Sequence, residues 1–214
     1  MSSSLTMPAQ PTTTRSRGKW TWVSWLKIVV FLACLVPAGA MVMAVVTGKS
    51  GPNPIEYLTH VTGEWGLRFL LLSLVMTPLR WMTKSLVPTR FRRMIGLFAF
   101  FYVALHFTVY LVLDQQLDVG AIVDDLFKRT YIIAGFVSLL VLVPLALTST
   151  KGMMRRLGKR WKSLHRWVYV ASIAAVLHYI WLAKGDQIEP LIYAAVLAVL
   201  LGARLWRTIN AKRG

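Results

Sequence analysis

Six runs of about twenty apolar residues constrain this chain more than any other feature. They lie at roughly 24–46, 64–83, 94–113, 130–148, 164–183 and 190–208. A hydrocarbon layer about 30 Å thick takes about 20 residues of helix at ~1.5 Å rise per residue. Each run has that length, and only short polar connections separate them. The pattern specifies an all-α integral membrane protein: a bundle of six transmembrane helices with no soluble domain. No fixed-period repeat stands out.

The net charge of +17 raises the question of nucleic acid, but its distribution answers it. Arg15, Arg17 and Lys19 precede the first run, and Arg80, Lys84, Arg90, Arg92 and Arg93 surround the connection after the second. Lys151, Arg155, Arg156, Lys159, Arg160 and Lys162 fill the fourth connection, and Arg204, Arg207, Lys212 and Arg213 end the chain. With six spans all of these fall on one side of the membrane. Glu56, Glu64, Asp114, Asp118, Asp124, Asp125, Asp186 and Glu189 fall on the other. By the positive-inside rule both termini are cytoplasmic and the acidic loops face outward. No nucleic-acid partner is expected. Trp20, Trp22 and Trp25 at one boundary and Trp181 at another suit an interfacial aromatic belt.

Residues 1–19 are polar and rich in Ser and Thr, and read as a disordered cytoplasmic tail. PAGA at 37–40 loosely resembles a signal-peptidase site, but the run from Trp20 to Val46 is too long for a signal peptide's apolar region. We therefore expect an uncleaved first helix, a membrane domain over 20–208 and a basic cytoplasmic tail over 209–214. Cys34 is the single cysteine, so there is no internal disulfide, no paired-cysteine redox motif and no covalent attachment point for a c-type heme.

Histidine is costly inside a bilayer and marks a functional site there by default. His106 lies about 18 Å up the third run from Met94, and His178 about 21 Å up the fifth from Leu164, at ~1.5 Å per residue. Both runs point outward, so the two imidazoles reach similar depth in the outer half of the membrane. Two such imidazoles on facing helices can take both axial positions of a noncovalently held b-type heme. The plainer reading, in which each histidine only bonds a neighbouring helix, accounts less well for the matched depths.

His165 begins the fifth run near the cytoplasmic face. Counting back 13 or 14 residues from His106 meets Arg93 or Arg92, so a second stacked bis-histidine heme lacks its partner ligand. A quinone, a flavin, an alternative ligation of the iron and a loop hydrogen bond all remain open for His165. His60 reads as an interfacial or loop residue before the second run, near enough to approach a heme edge. Arg68, about one turn into that run, could pair with a heme propionate or snorkel to the headgroups.

The segments GLFAFFYVALHFTVY (96–110), LALTSTKGMMRRLGKRWKSLHRWVYV (145–170), LHYIWLAKG (177–185) and HVTGEWGLRFLLLSLVMTPLR (60–80) resemble the MsrQ (YedZ) family. That family comprises heme-binding membrane subunits of the bacterial periplasmic methionine-sulfoxide reductase system, within the ferric-reductase-like transmembrane group. The resemblance runs from the first to the sixth span. It implies heme b on the histidines that match here as His106, His165 and His178, and FMN as a further cofactor. It also implies residence in the bacterial inner membrane. As partner it implies a periplasmic molybdenum-cofactor methionine-sulfoxide reductase subunit, in a heterodimer, which repairs oxidised proteins. No phosphate-cradling glycine loop points to the FMN independently.

The resulting expectation is an electron conduit. Electrons from membrane quinol or a cytoplasmic flavin reductase reach the heme and leave to the periplasmic partner, where the chemistry on substrate takes place. The rival is a small transporter or channel using histidines as a proton relay, which Pro37 and Pro144 inside two spans would suit. Proline kinks are common in membrane helices, however, and no acidic residue lies in the core to complete a relay.

Overall fold

In hydrocarbon every backbone N–H and C=O has to be satisfied within the chain, so apolar runs of this length fold as helices. A computed structural model describes residues 22–183 and 188–213, which are helical apart from short connections. The helices are α1 (Trp22–Val46), α2 (Pro54–Thr83), α3 (Val87–Thr108), α4 (Val119–Lys128) and α5 (Thr130–Leu147). They continue with α6 (Lys151–Leu157), α7 (Lys159–Leu164), α8 (Val168–Ala183) and α9 (Glu189–Arg213). The N-terminal segment 1–19, Trp20 and Asp186 lie outside the described residues.

Five helical stretches are long and apolar enough to cross a membrane: Trp22–Val46, Val87–Asp114, Thr130–Leu147, Lys159–Ala183 and Glu189–Ala211. The second expected run, α2, is not among them, because Glu56, Glu64, Arg68 and Arg80 dilute its apolar content. It is nevertheless the spine of the bundle. Leu67, Phe69, Leu70, Leu71 and Leu74 on α2 are all buried. It packs along α3, as α5 packs along α8, and the two hairpins meet through α3 with α5 and α2 with α8. The outer helices α1 and α9 lie against this four-helix core and expose apolar side chains such as Val36 (65%), Val46 (75%) and Val199 (70%). A surface of that kind fits hydrocarbon rather than water. Trp22, Trp25 and Trp181 are likewise exposed.

Several boundaries depart from the expectation. α2 starts ten residues before 64, at Pro54, because the Asn53 side chain caps the helix by accepting from the Glu56 amide and proline suits the first helical position. α9 continues to Arg213, so the basic stretch from 209 is helical rather than a separate tail. The connection before α5 contains an unexpected helix, α4, capped by the Asp118 carboxylate, which accepts from the Ala121 amide at 3.1 Å. α4 leaves Val119 and Phe127 71% and 82% exposed.

Pro37 cannot donate to the ladder of α1, and the helix opens beside it. The fully buried Tyr102 hydroxyl enters the gap. It accepts from the Ala38 amide at 3.0 Å and donates to the Cys34 carbonyl at 2.8 Å. The side chain of α3 thereby replaces one backbone bond of α1 and pins the two helices together.

A candidate histidine-paired cofactor site

His106 on α3 and His178 on α8 face each other with ring centroids 6.1 Å apart and planes at 79°. Both line a cavity of about 240 Å³ between the two hairpins. The matched depth expected from counting residues is therefore realised as a facing pair.

Each ring is held in the same way. His106 Nδ1 lies 2.9 Å from the Thr59 carbonyl, and His178 Nδ1 lies 2.7 Å from the Tyr131 carbonyl. A carbonyl only accepts, so each Nδ1 carries the proton and donates, and each Nε2 is left with its lone pair. Metal-bound histidines are oriented by this type of bond from the second nitrogen. One turn further along, a glycine leaves room for the ring. A Cβ on Gly63 would lie 3.1 Å from His106 Cε1 and Nδ1, and one on Gly135 would lie 2.9 Å from His178 Nδ1.

The two half-sites repeat. Carbonyl acceptor and histidine are 47 residues apart in each, and the second half-site follows the first at a spacing of 72 residues throughout. The α2–α3 hairpin and the α5–α8 hairpin thus present the same device from opposite sides. Beyond the glycine, the histidine and a few leucines such as Leu67 and Leu139, most paired positions differ (Thr59 against Tyr131), which is why no repeat stands out in the sequence. The residue 72 before His165 is Arg93, so the repeat supplies no second facing pair of histidines.

The cavity is apolar at its base, where Leu70, Val103, Phe136, Leu139 and Ala175 line it, and polar at its mouth. After Thr108 the α3 helix widens into a π-helical turn, Val109–Asp114, which brings Tyr110 and Asp114 to the rim. Such turns recur at functional sites. Arg129 also reaches the rim. It donates to the Tyr131 hydroxyl at 3.2 Å and pairs with Asp125 at 3.1 Å. The bond to Tyr131 first, then the charge of Asp125, hold its pKa above the ordinary value, so it stays cationic. No reading of the sequence singled out Arg129. The available signal was a basic residue close to Asp114, Asp118, Asp124 and Asp125 and immediately before an apolar run.

The remaining expected residues stand elsewhere or in other roles. Arg68 does not line the cavity. Its guanidinium pairs with Glu64 at 2.7 Å, donates to the Tyr193 hydroxyl at 2.9 Å and lies 5.0 Å from the Trp65 ring centre. His60 is part of α2 rather than a loop, exposed, and lines the mouth of the cavity. His165 stands in a short 3-10 turn between α7 and α8, stacked on Trp161 with centroids 3.9 Å apart. The Thr148 hydroxyl gives its hydrogen to the Pro144 carbonyl, so His165 Nε2 donates to Thr148 Oγ1 at 3.2 Å. Of the roles open to His165, the hydrogen bond is the one this geometry contains. Among the described residues no cluster of three or more His, Cys, Asp or Glu is placed to hold a metal on protein ligands alone.

Residues 62–176 match the family described as the ferric reductase like transmembrane component. The heme-binding subunit MsrQ of the protein-methionine-sulfoxide reductase of Rhodospirillum rubrum is 53% identical over 188 residues, which covers 87% of this chain and 90% of that one. The chain belongs to the MsrQ family. Subunits of the same description from Xanthomonas euvesicatoria pv. vesicatoria (49% identical; 76% of this chain and 75% of the relative) and Herminiimonas arsenicoxydans (45%; 85% and 84%) agree. The matched segment contains Gly63, His106, Tyr131 and Gly135 and stops just short of Thr59 and His178, and the relatives' alignments extend over most of the chain.

Proposed function

We propose that this chain is a membrane electron-transfer subunit in which His106 and His178 hold the iron of one b-type heme. The observation that carries the reading is the pair of imidazoles 6.1 Å apart, each with Nδ1 tied to a carbonyl and Nε2 left for a ligand. Metal–imidazole bonds run about 2 Å, so two rings at this spacing could share one iron. The residues present therefore fit the group. A heme held by His106 and His178 would supply reversible one-electron transfer.

The protein's own contribution is positional. Thr59 and Tyr131 fix the tautomer and direction of the two rings, and Gly63 and Gly135 let them lie against α2 and α5. The apolar base excludes water. Arg129 and His60 line the mouth and are placed to meet carboxylates there, whereas Arg68 does not line the cavity. His165 is assigned to the α5–α7 junction rather than to the iron.

Around this site we read six spans, α1, α2, α3, α5, α8 and α9, forming a membrane domain over 20–208 in the bacterial inner membrane. The basic connections and both termini lie in the cytoplasm, and α4 and the acidic loops lie outside, as the positive-inside rule requires. Electrons enter from the quinol pool or a cytoplasmic flavin reductase, with FMN as a further carrier on the strength of the family resemblance. They leave to a periplasmic molybdenum-cofactor methionine-sulfoxide reductase subunit that reduces oxidised protein methionines. The relatives are described as heme-binding subunits of a protein-methionine-sulfoxide reductase, which supports a reductase of that kind as the partner.

The test is spectroscopic and functional. Purified full-length protein reduced with dithionite should show the sharp α-band of a low-spin b-type heme, extractable by acid acetone. Once reduced, it should be reoxidised by the periplasmic partner plus protein-bound methionine sulfoxide. A colourless preparation made with added heme precursor overturns the heme assignment, and a reduced heme that the partner leaves untouched overturns the pathway.

A further inference from the structure

A second cavity, about 480 Å³, lies at the basic end of the bundle between α2, α3, α8 and α9. Its wall carries three arginines, Arg92, Arg204 and Arg207, together with Thr77, Trp81 and Tyr169, and no acidic residue. The three ion pairs among the described residues, Arg68–Glu64, Lys128–Asp124 and Arg129–Asp125, involve none of these arginines. All eight carboxylate side chains belong to the other side of the expected topology.

Uncompensated cations within the membrane-facing part of a bundle are expensive unless a counter-charge is supplied. The hydrogen bonding is incomplete as well. Arg204 gives its two terminal nitrogens to the carbonyls of Leu200 and Leu74, which bridges α9 to α2 and leaves its Nε–H buried without a partner. Thr77 Oγ1 is buried and unpartnered in the same cavity. The aromatic neighbours orient the cations without neutralising them: Arg207 sits 4.5 Å from the Trp81 ring centre, and Arg204 5.7 Å from that of Tyr169. Orphaned buried donors in a native fold call for an explanation, and here they converge with two further guanidiniums on one space.

We propose that this cleft binds a phosphate ester. A phosphate offers several charged acceptor oxygens to guanidinium forks and to a hydroxyl, which answers both the missing charge and the missing acceptors. Basic pockets between membrane helices on the cytoplasmic side suit anionic lipid headgroups, and Trp81, Tyr169 and Ala211 provide apolar walls beside the cations. The same chemistry fits a soluble phosphate monoester entering from the aqueous phase. This site is separate from the histidine pair and does not depend on the heme reading.

The experiment uses the full chain in a neutral detergent. In one arm, native mass spectrometry compares retention of phosphatidylglycerol with that of zwitterionic phosphatidylcholine. In the other, calorimetry titrates glycerol 3-phosphate into the delipidated protein. We expect at least tenfold preferential retention of phosphatidylglycerol, or saturable binding of glycerol 3-phosphate. Either supports the phosphate site, and the arm that responds identifies the source. The double variant Arg92→Gln/Arg207→Gln should lose the responding signal at least tenfold, whereas Arg68→Gln should keep it. Arg204 is left intact in this test because it also ties α9 to α2. Circular dichroism checks that the double variant keeps its helicity. If neither probe binds, or if the double variant binds as well as the parent, the proposal is wrong.

Discussion

Replacing Gly135 by alanine tests whether the imidazole geometry depends on the bare backbone beneath each ring. The new Cβ would lie 2.9 Å from His178 Nδ1 and 3.1 Å from its Cε1. Ordinary contacts run about 3.5–4.0 Å, so the ring has to retreat by about half an ångström or more. It cannot swing freely, because Nδ1 is held at 2.7 Å by the Tyr131 carbonyl on the same helix. Overpacking of this size costs about 1–3 kcal/mol, and ligand geometry tolerates displacements of only about 0.5 Å. At about 1.4 kcal/mol per tenfold change, heme affinity should fall about five- to 150-fold. Gly63→Ala, where the nearest His106 atoms lie at 3.1 Å, should show a smaller loss of the same kind. Gly96→Ala on α3, with no other atom within 4 Å of its new Cβ, is the control. There alanine should be neutral or stabilising by up to about 1 kcal/mol through helix propensity. Heme-to-protein ratio after purification, and heme titration into apoprotein, give the ranking Gly135→Ala, then Gly63→Ala, then Gly96→Ala from worst to best. Equal heme affinity in all three variants would refute the cradle and leave the glycines as ordinary packing residues.

Three further outcomes are expected. His106→Ala and His178→Ala should each strip the protein of most of its heme, while His165→Ala should be milder on heme content and loosen the α5–α7 junction. Loss of heme in His165→Ala with retention in His178→Ala would reverse the assignment. Tyr102→Phe removes the hydroxyl that serves both Ala38 and Cys34. It should lower stability by about 1–3 kcal/mol through unsatisfied backbone groups, seen as a lower unfolding temperature in detergent, and an unchanged temperature would show that α1 recloses its own hydrogen bond. Reporter fusions near Lys151 and after Lys212 should report cytoplasm and one near Asp118 the outside. A single inverted loop would undo the six-span reading.

Counting along the chain was enough to place five of the apolar runs on long helices and to bring His106 and His178 to matching levels of two of them. Helix length follows from a run of apolar residues, and depth follows from a fixed rise per residue, both of which are local quantities. Rotation about the helix axis is not local. It is set by which faces pack, so only the folded bundle showed Gly63 and Gly135 beneath the rings and carbonyls receiving both Nδ1 protons. The same reason hid the 72-residue correspondence of the two half-sites, since packing requires only a small residue, a carbonyl and a histidine at the right spacing. α4 escaped notice because it is short and lies in a polar connection, although Asp118 is a plain capping signal. The partners of Arg68 were also out of reach of the sequence: its depth allowed a propionate or the headgroups, and the bundle adds Glu64 one turn away and Tyr193 on a distant helix. The arginine cleft was the least visible of all, because Arg92 and Arg204 are more than a hundred residues apart in the chain and become neighbours only when α3 and α9 pack around α2 and α8.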